Sequence, residues 1–366
     1  MHKIIWLILS AILIVRIFHT LGYNVNKWKD TRSYEKGRYY VNESVSESPN
    51  SIWQKWDDKV TNRVTRIARR YLPSPHSELL LGLLIGLDDI KKTPLYYETL
   101  IQTGTVHVVV VSGYNITLVF NFIISLLGTR YKIRNIIFAE AVTFLYALLS
   151  GLEPPVLRAW IMGSVISLGK YYGRVLDAKE VLIFSAYIMM LVQPQLITSI
   201  SFQLSFLATL SLVLYNGRVK TIIKQIKPEI DRSHGNNVFL DDLASTVSAQ
   251  ILVWPVISYY FGRVSILSPL VNCLVLWTVP LSTVVGSIFI FVASVVPILG
   301  QALAWFVLVP LDIFVITTAL FGKYKFASVS FKMEGKSLFL YYSALIIVPH
   351  LYKYFHRNIK STTKDK

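Results

Sequence analysis

The chain has 366 residues, of which 53% are hydrophobic and only 16% are charged, and its formal net charge is +16. Soluble domains carry about a quarter charged residues, so this composition excludes an ordinary soluble protein. It predicts an all-α, polytopic integral membrane protein with about 9–11 apolar segments, some broken or re-entrant. The basic excess indicates anionic lipid or nucleic acid as a partner, unless most of it only orients the helices.

Residues that would support metal or cofactor chemistry are sparse. Cys273 is the single cysteine, which excludes an internal disulfide and a multi-cysteine metal site. The seven histidines form no HxH or HExxH pair, and no GxxxxGK[ST] P-loop occurs. We therefore expect no metal, no cofactor and no nucleotide-driven motor within this sequence.

The N-terminal part is predicted to contain a membrane anchor at 1–20 and a basic, aromatic-containing extracytoplasmic segment at 21–77. Arg16 interrupts the first apolar run and no A-x-A site follows, so the anchor is expected to stay uncleaved. Basic charge interleaved with Trp and Tyr is typical of single-stranded nucleic acid binding. The alternative is an amphipathic helix at 51–71 that lies on anionic lipid. The basic residues singled out in this segment are Arg63, Arg66, Arg69 and Arg70.

A multi-helix membrane domain is predicted at 78–352, followed by a basic tail at 353–366. Its first apolar piece, 78–87, is too short to span a bilayer and is expected to be re-entrant or interfacial. Three basic loops alternate with turns that lack Lys and Arg, which places the loops in the cytoplasm. The loops carry Arg130, Lys132 and Arg134, then Lys170, Arg174 and Lys179, then Arg218, Lys220, Lys224, Lys227 and Arg232.

The C-terminal topology stays open at this point. The region 266–297 contains three prolines and is either one broken span or two short ones. The loop at 323–336 and the tail are both basic, and a single helix between them cannot place both inside.

The first chemically informative motif lies in an apolar stretch and reads TVHVVVVSGYNI. Its polar groups are unusual at membrane depth, where such groups face a bundle interior or a watery path. We expect a conduit lining, with hydrogen bonding between helices as the alternative. A nucleophilic role for Ser112 is disfavoured, because five-residue spacing does not bring it onto the helix face of His107. No catalytic residue is therefore predicted, and the residues singled out are His107, Ser112, Gly113, Asn115 and Thr117.

The second motif is GLEPPVLRAWIMGSV, in which two prolines suit the start of a helix. Arg158 then falls in the first turn, where a cation is unfavourable and needs a partner, and Glu153 is the nearest candidate. The helix start and Arg158 together would attract a phosphate. The alternative is an arginine that extends to the interface.

The third motif is SISFQLSFLATLSLVLY, and it begins with polar groups at another helix start. Gln203 is a further candidate for the passage, although a single Gln in a bundle more often bonds neighbouring helices.

Together these motifs resemble ComEC-type competence proteins over residues 78–300. The first is similar to that family's HLLAxSGLHV segment, the second to GxxPSxxRAxxM, and the third to its FQLSFxATxGL segment. Asn115 stands where the family usually has His, which argues against proton or metal chemistry there. No HxHxDH motif occurs, so the membrane competence domain is expected without the family's metallo-β-lactamase-like domain.

The resemblance implies a channel in the inner (cytoplasmic) membrane that carries single-stranded DNA into the cytoplasm during natural transformation. It also implies a DNA receptor outside and a helicase motor inside, since the sequence has no P-loop. A small-molecule or lipid transporter on the same scaffold is the first alternative, and an intramembrane hydrolase is the second.

Overall fold

Helices make up nearly all of the regular structure in the computed structural model, which describes residues 52–109, 113–128, 132–226, 238–324, 326–345 and 347. Four helical stretches are long and apolar enough to cross a membrane: Val106–Leu126, Ile200–Gln225, Thr278–Val295 and Pro297–Gly322. The prediction of an all-α polytopic membrane protein is confirmed. The predicted anchor at 1–20, the segment up to residue 51 and the tail at 353–366 lie outside the described residues.

The helices follow one another with short connections. Their bounds are α1 Ile52–Tyr71, α2 His76–Ile85, α3 Pro94–Thr103, α4 Val106–Val109, α5 Gly113–Leu126, α6 Ile133–Leu149, α7 Pro154–Tyr171, α8 Ala178–Val192, α9 Ile200–Ile226, α10 Val238–Phe261, α11 Ser268–Val275, α12 Thr278–Val295 and α13 Pro297–Gly322. Helix α14 is described over 335–345. Short 3-10 helices occupy Asp88–Lys92 and Pro194–Thr198, and two strands, β1 Arg263–Ser265 and β2 Ser328–Ser330, pair with each other.

Local sequence sets several of these helix boundaries. Proline begins α3, α7 and α13, where its missing N–H removes no helical hydrogen bond. Helices α2 and α3 end at Gly86 and Gly104, which have φ values of 71° and 70°. Only glycine adopts that left-handed conformation without strain. Asp177 caps α8, because its carboxylate accepts a hydrogen bond of 2.9 Å from the Lys179 N–H.

Helix α7 lies at the centre of the first half of the bundle, in contact with α5, α6, α8 and α9. Helices α9 and α10 form a long antiparallel pair. Their contact includes a buried serine, Ser211, which donates to the Ser248 carbonyl and accepts from the Leu252 N–H. Such side-chain bonds stabilise helix pairs in a membrane, where apolar burial contributes little to association.

The second half of the bundle surrounds α2. This ten-residue helix is about 15 Å long, so it cannot cross a hydrocarbon core of about 30 Å. It matches the short apolar segment predicted at 78–87. Leu79 and Leu80 are fully buried against α12 and α13, together with Phe289 and Phe314. The region 266–297 is resolved into α11 and α12, which are separated by two residues at 276–277.

The pairing of β1 with β2 answers the question of C-terminal topology. Val264 pairs with Val329, so the end of α10 and the end of α13 lie together. Helix α14 then returns along α10, where the Tyr341 and Tyr342 hydroxyls donate to the carbonyls of Ile251 and Leu252. The loop at 323–336 therefore lies at one end of the bundle, and α14 leads away from it toward the other.

The two ends of the bundle carry different segments of the chain. We call the end with β1 and β2 the ladder face, and the end with the three basic loops the loop face. Helix α13 has 26 residues and is about 39 Å long, so its start lies at the loop face. Helix α1 binds there: Arg63 donates to the Ser294 carbonyl at 2.8 Å, and the Tyr71 hydroxyl donates to the Pro297 carbonyl at 2.9 Å.

This placement affects the predicted topology. Helix α1 and the basic loops occupy the same face, whereas the sequence assigned the loops to the cytoplasm and residues 21–77 to the outside. Those two assignments exclude each other for the described part of that segment, 52–77. The two assignments were predicted independently of each other, because no local sequence pattern connects α1 with the turn between α12 and α13.

Candidate functional site

Three of the sequence motifs meet beside the first turns of α7, near the ladder face. Gly113 begins α5, Arg158 is the fifth residue of α7, and Ser205 and Thr209 lie in the first turns of α9. These segments are brought together because α7 packs directly against both α5 and α9. We call this group of four residues the Arg158 site.

Arg158 is partly buried and is held by neutral partners. Its Nε donates to the Ser205 hydroxyl at 2.7 Å, and its Nη1 donates to the Thr209 hydroxyl. The Met162 sulfur lies 3.9 Å from Nη1, and the guanidinium lies 5.9 Å from the centre of the Phe206 ring. Two hydroxyls and an aromatic ring therefore orient the guanidinium.

Gly113 gives the guanidinium room on its other side. A Cβ atom at this position would lie 2.8 Å from the Ala159 Cβ, 3.1 Å from the Pro155 carbonyl oxygen and 3.5 Å from Arg158 Nη2. Glycine is therefore needed where α5 approaches the start of α7. Within the described residues, Nη2 makes no hydrogen bond.

Asn115 connects the Arg158 site to the short helix α2. Its side chain is completely buried, and its Nδ2 donates to the Leu83 carbonyl at 3.1 Å. In the described structure its Oδ1 has no hydrogen-bond partner, although the Tyr146 hydroxyl of α6 lies nearby. Asn115 therefore bonds α5 to α2, next to Tyr146 of α6.

The other predicted residues are less closely joined. The exposed Thr117 hydroxyl donates back to the Gly113 carbonyl at 3.3 Å. Gln203 donates to the Ile197 carbonyl at 2.9 Å and accepts a long hydrogen bond of 3.4 Å from Tyr260. Glu153 immediately precedes α7, and His107 is exposed on α4. Ser112 lies outside the described residues.

Glu140 is a half-buried acidic group that the sequence prediction did not include in the site. It lies on α6, facing α7, and the Ser164 hydroxyl donates to its Oε2 at 2.5 Å. Trp160 also donates to the Glu140 backbone carbonyl, at 3.3 Å. A carboxylate in the middle of an apolar helix is itself a signal for a functional position. The proximity of Glu140 to α7 depends on how α6 packs against α7, and that packing could not be predicted from the sequence.

The arginines of α1 lie apart from the Arg158 site, at the loop face. Arg69 bonds to Asp89 at 2.5 Å and lies 4.0 Å from Glu78. Arg70 lies over the Tyr71 ring at 5.5 Å, and Arg66 is exposed. The four predicted arginines therefore belong to a different surface.

Metal ligands do not cluster in the described part of the chain, where no group of three His, Cys, Asp or Glu side chains could hold an ion. Cys273 is a buried free thiol on α11.

Comparison with known proteins gives one match. A family model described as Competence protein matches residues 91–354, which is most of the chain and includes the whole Arg158 site. No curated protein and no solved structure matches the chain.

Proposed function

Because this chain belongs to the competence protein family, we propose that it forms a passage for single-stranded DNA across the cytoplasmic membrane during natural transformation. The family is consistent with DNA uptake, and the apolar helices are those of a membrane protein. The step to a DNA channel is supported mainly by the Arg158 site.

The observation that carries the proposal is an arginine whose positive charge is held in place by neutral groups. Arg158 is the fifth residue of α7, where the helix dipole also favours an anion, although Pro154 and Pro155 at the helix start supply no N–H groups. Its Nη2 makes no hydrogen bond within the described structure, and an arginine fork matches the oxygens of a phosphate. A DNA backbone presents such a phosphate at every nucleotide.

The proposed path continues from Arg158 along polar groups of the neighbouring helices. DNA would pass the group formed by His107, Ser112, Gly113, Asn115, Thr117, Glu153 and Gln203. Asn115 and Gln203 provide neutral hydrogen-bonding groups, which hold a strand weakly enough to let it move on. Since the sequence has no P-loop, a helicase on the cytoplasmic side would supply the force, and a receptor outside would deliver the strand. Anionic lipid would neutralise the exposed arginines of α1.

The Arg158→Ala substitution tests the proposal. Losing a charge-assisted hydrogen bond costs about 1.5–3 kcal/mol, so we expect roughly a tenfold to hundredfold fall in transformation frequency. Arg158→Lys keeps the charge but loses the planar fork, and an intermediate value is expected. Arg174→Ala removes an exposed arginine from the loop after α7 and serves as the matched control.

The assay must be read against the amount of protein in the membrane, measured by blotting. A normal transformation frequency in Arg158→Ala, at normal protein level, would refute the DNA-binding role of this residue. Flux of a small molecule or lipid through the protein in liposomes without DNA would favour the alternative function of a small-molecule or lipid transporter. Labelling by a serine-reactive probe that is lost in Ser112→Ala would favour the hydrolase.

A further inference from the structure

Exposed aromatic rings and lysines surround the short pair of strands at the ladder face. Phe326 and Phe331 lie on either side of β2 and are 61% and 55% exposed, and two tyrosines near them are also exposed. We call the whole group the ladder platform; its members are Tyr260, Lys323, Tyr324, Phe326, Phe331 and Lys332. Neither the three sequence motifs nor the proposed DNA path includes these residues.

The backbone on both sides of β2 is held in place, and this fixes where the two phenylalanine rings emerge. The Phe331 N–H donates to the Gly262 carbonyl at 3.0 Å, and the Ser258 hydroxyl donates to the Phe331 carbonyl. Before β2, the Ala327 carbonyl, which follows the first ring, accepts from the Ile266 N–H at 3.0 Å. Rings on a fixed backbone lose little conformational freedom when a ligand binds.

Lysines supply positive charge beside the rings. The loop at 323–336 contains four lysines and one glutamate. The Lys332 side chain follows the ladder, because a Cβ atom at Gly262 would lie 3.8–4.0 Å from three of its carbons. Arg263 at the same face is paired with Glu98 at 3.5 Å. The three basic loops lie at the opposite face, and membrane topology explains a basic excess on one face only. An anionic partner explains the lysines of the ladder platform.

Tyr260 connects the ladder platform to the Arg158 site. Its hydroxyl donates a long hydrogen bond of 3.4 Å to Gln203 Oε1. Gln203 lies two residues before Ser205, whose hydroxyl accepts from Arg158 Nε at 2.7 Å. A strand that leaves the ladder platform at Tyr260 is therefore already beside the polar groups that hold Arg158.

We propose that the ladder platform binds single-stranded DNA at the mouth of the passage, with bases stacked on its rings and phosphates attracted by its lysines. This inference rests on the proposed DNA function. Stacking on aromatic side chains tolerates any base sequence, which suits a passage for strands of any origin. Aromatic rings also collect at membrane interfaces, but the contact between Tyr260 and Gln203 directs the ladder platform toward the DNA path.

Fluorescence anisotropy with the full chain in nanodiscs of neutral lipid tests the stacking. The probes are a labelled oligothymidylate and a labelled abasic strand of equal length, which carries the same phosphates without bases. We expect the native protein to bind the oligothymidylate at least about fivefold more tightly, the contribution of one stacked base. Equal affinity for the two probes would overturn the stacking platform.

Phe326→Leu and Phe331→Leu each remove one ring but keep an apolar side chain. We expect either change to weaken oligothymidylate binding about fivefold or more and to leave binding of the abasic strand unchanged. Phe306→Leu on α13 is the matched control, because Phe306 is 68% exposed but lies in the half of α13 nearer the loop face. Native affinity combined with a lower Tm in both ring variants would identify a lipid-interface role and overturn the proposal.

Lys332→Gln tests the electrostatic part through its salt dependence. Loss of one phosphate contact lowers the slope of log affinity against log salt concentration by about 0.7 for a single strand. Arg174→Gln, in a basic loop of the opposite face, should keep the native slope. An unchanged slope in Lys332→Gln would exclude this lysine from contact with DNA.

Transformation frequency connects the ladder platform to the proposed function. We expect the double variant Phe326→Leu, Phe331→Leu to lower it about fivefold or more at normal protein level, and Phe306→Leu to leave it unchanged. A normal frequency in the double variant would overturn the part of the ladder platform in DNA uptake. If Arg158→Ala transforms normally, the passage through the Arg158 site fails, while the anisotropy comparison still decides whether the ladder platform binds single strands.

Discussion

At the scale of single residues, Gly113 determines how closely α5 approaches the guanidinium of Arg158. The absence of a side chain at Gly113 lets the helix begin within contact distance of Pro155 and Ala159. Nη2 of Arg158 then faces α5, while Nε and Nη1 donate hydrogen bonds to side chains of α9. A small residue thus sets the electrostatic character of the site.

Gly113→Ala is expected to disturb this contact. The new methyl group would lie 2.8 Å from the Ala159 Cβ and 3.1 Å from a backbone oxygen that cannot rotate away. Overpacking of this kind costs about 1–3 kcal/mol, so thermal stability in detergent and transformation frequency should both fall. Gly163→Ala is the matched control, since a Cβ there meets no atom within 4 Å. Equal behaviour of the two variants would contradict the contact.

The sequence was informative about which residues are chemically unusual, but not about which residues they touch. Arg158, Gly113 and Asn115 were identified because polar groups and glycine are conspicuous in apolar runs. The hydroxyls that hold Arg158 lie 47 and 51 residues away along the chain. Serine and threonine are common in membrane helices, so their role depended on the packing of α7 against α9.

At the scale of elements, α10 and α14 show how a proline is accommodated inside a membrane helix. Pro255 lacks an N–H, so the carbonyl of Ile251, four residues earlier, has no donor within α10. The Tyr341 hydroxyl of α14 donates to that carbonyl at 2.9 Å. The bond satisfies a polar group that lipid could not satisfy, and it attaches α14 to α10.

Tyr341→Phe is expected to leave the Ile251 carbonyl without a donor and to lower stability by about 1–3 kcal/mol. In a Pro255→Ala background the restored N–H supplies that donor, so the same substitution should cost much less. A double-mutant cycle in thermal unfolding measures the difference. Tyr324→Phe, a half-exposed tyrosine near β2, is the control. Additive effects of the two substitutions would exclude this explanation.

Element positions were predicted more accurately than element connections. Helix α1 covers 52–71, close to the amphipathic helix considered at 51–71, because its pattern is locally complete. The region 266–297 could not be divided from its prolines, and the structure separates it at 276–277 instead. The strands β1 and β2 have three residues each, which is too short for a recognisable alternation.

At the scale of the whole molecule, the structure links the side of α1 to the side of the basic loops. Each assignment was reasonable alone, since one followed from the predicted anchor and the other from loop charge. The conflict appears only when Arg63 and Tyr71 are found at the turn between α12 and α13. Long-range contact between distant segments is the information that a single sequence lacks.

Cysteine labelling tests this arrangement. In a Cys273→Ala background, Asn62→Cys on α1 and Arg174→Cys in a basic loop should react with a membrane-impermeant maleimide from the same side. Lys332→Cys at the ladder face should react from the opposite side, since all three positions are exposed. Comparison of intact cells with inverted vesicles identifies which face is cytoplasmic. Labelling of positions 62 and 332 from one side would refute the architecture.

The pairing of β1 with β2 also has a consequence for biogenesis. Ser265 pairs with Ser328, which is synthesised 63 residues later. At 5–20 residues per second, β1 therefore remains unpaired for roughly 3–13 s. Helices α11, α12 and α13 therefore enter the membrane while β1 still has an open edge. Exposed strand edges invite wrong partners, and a very short strand limits that hazard. The three-residue length of β1 thus protects the nascent chain until β2 emerges and α14 completes the bundle.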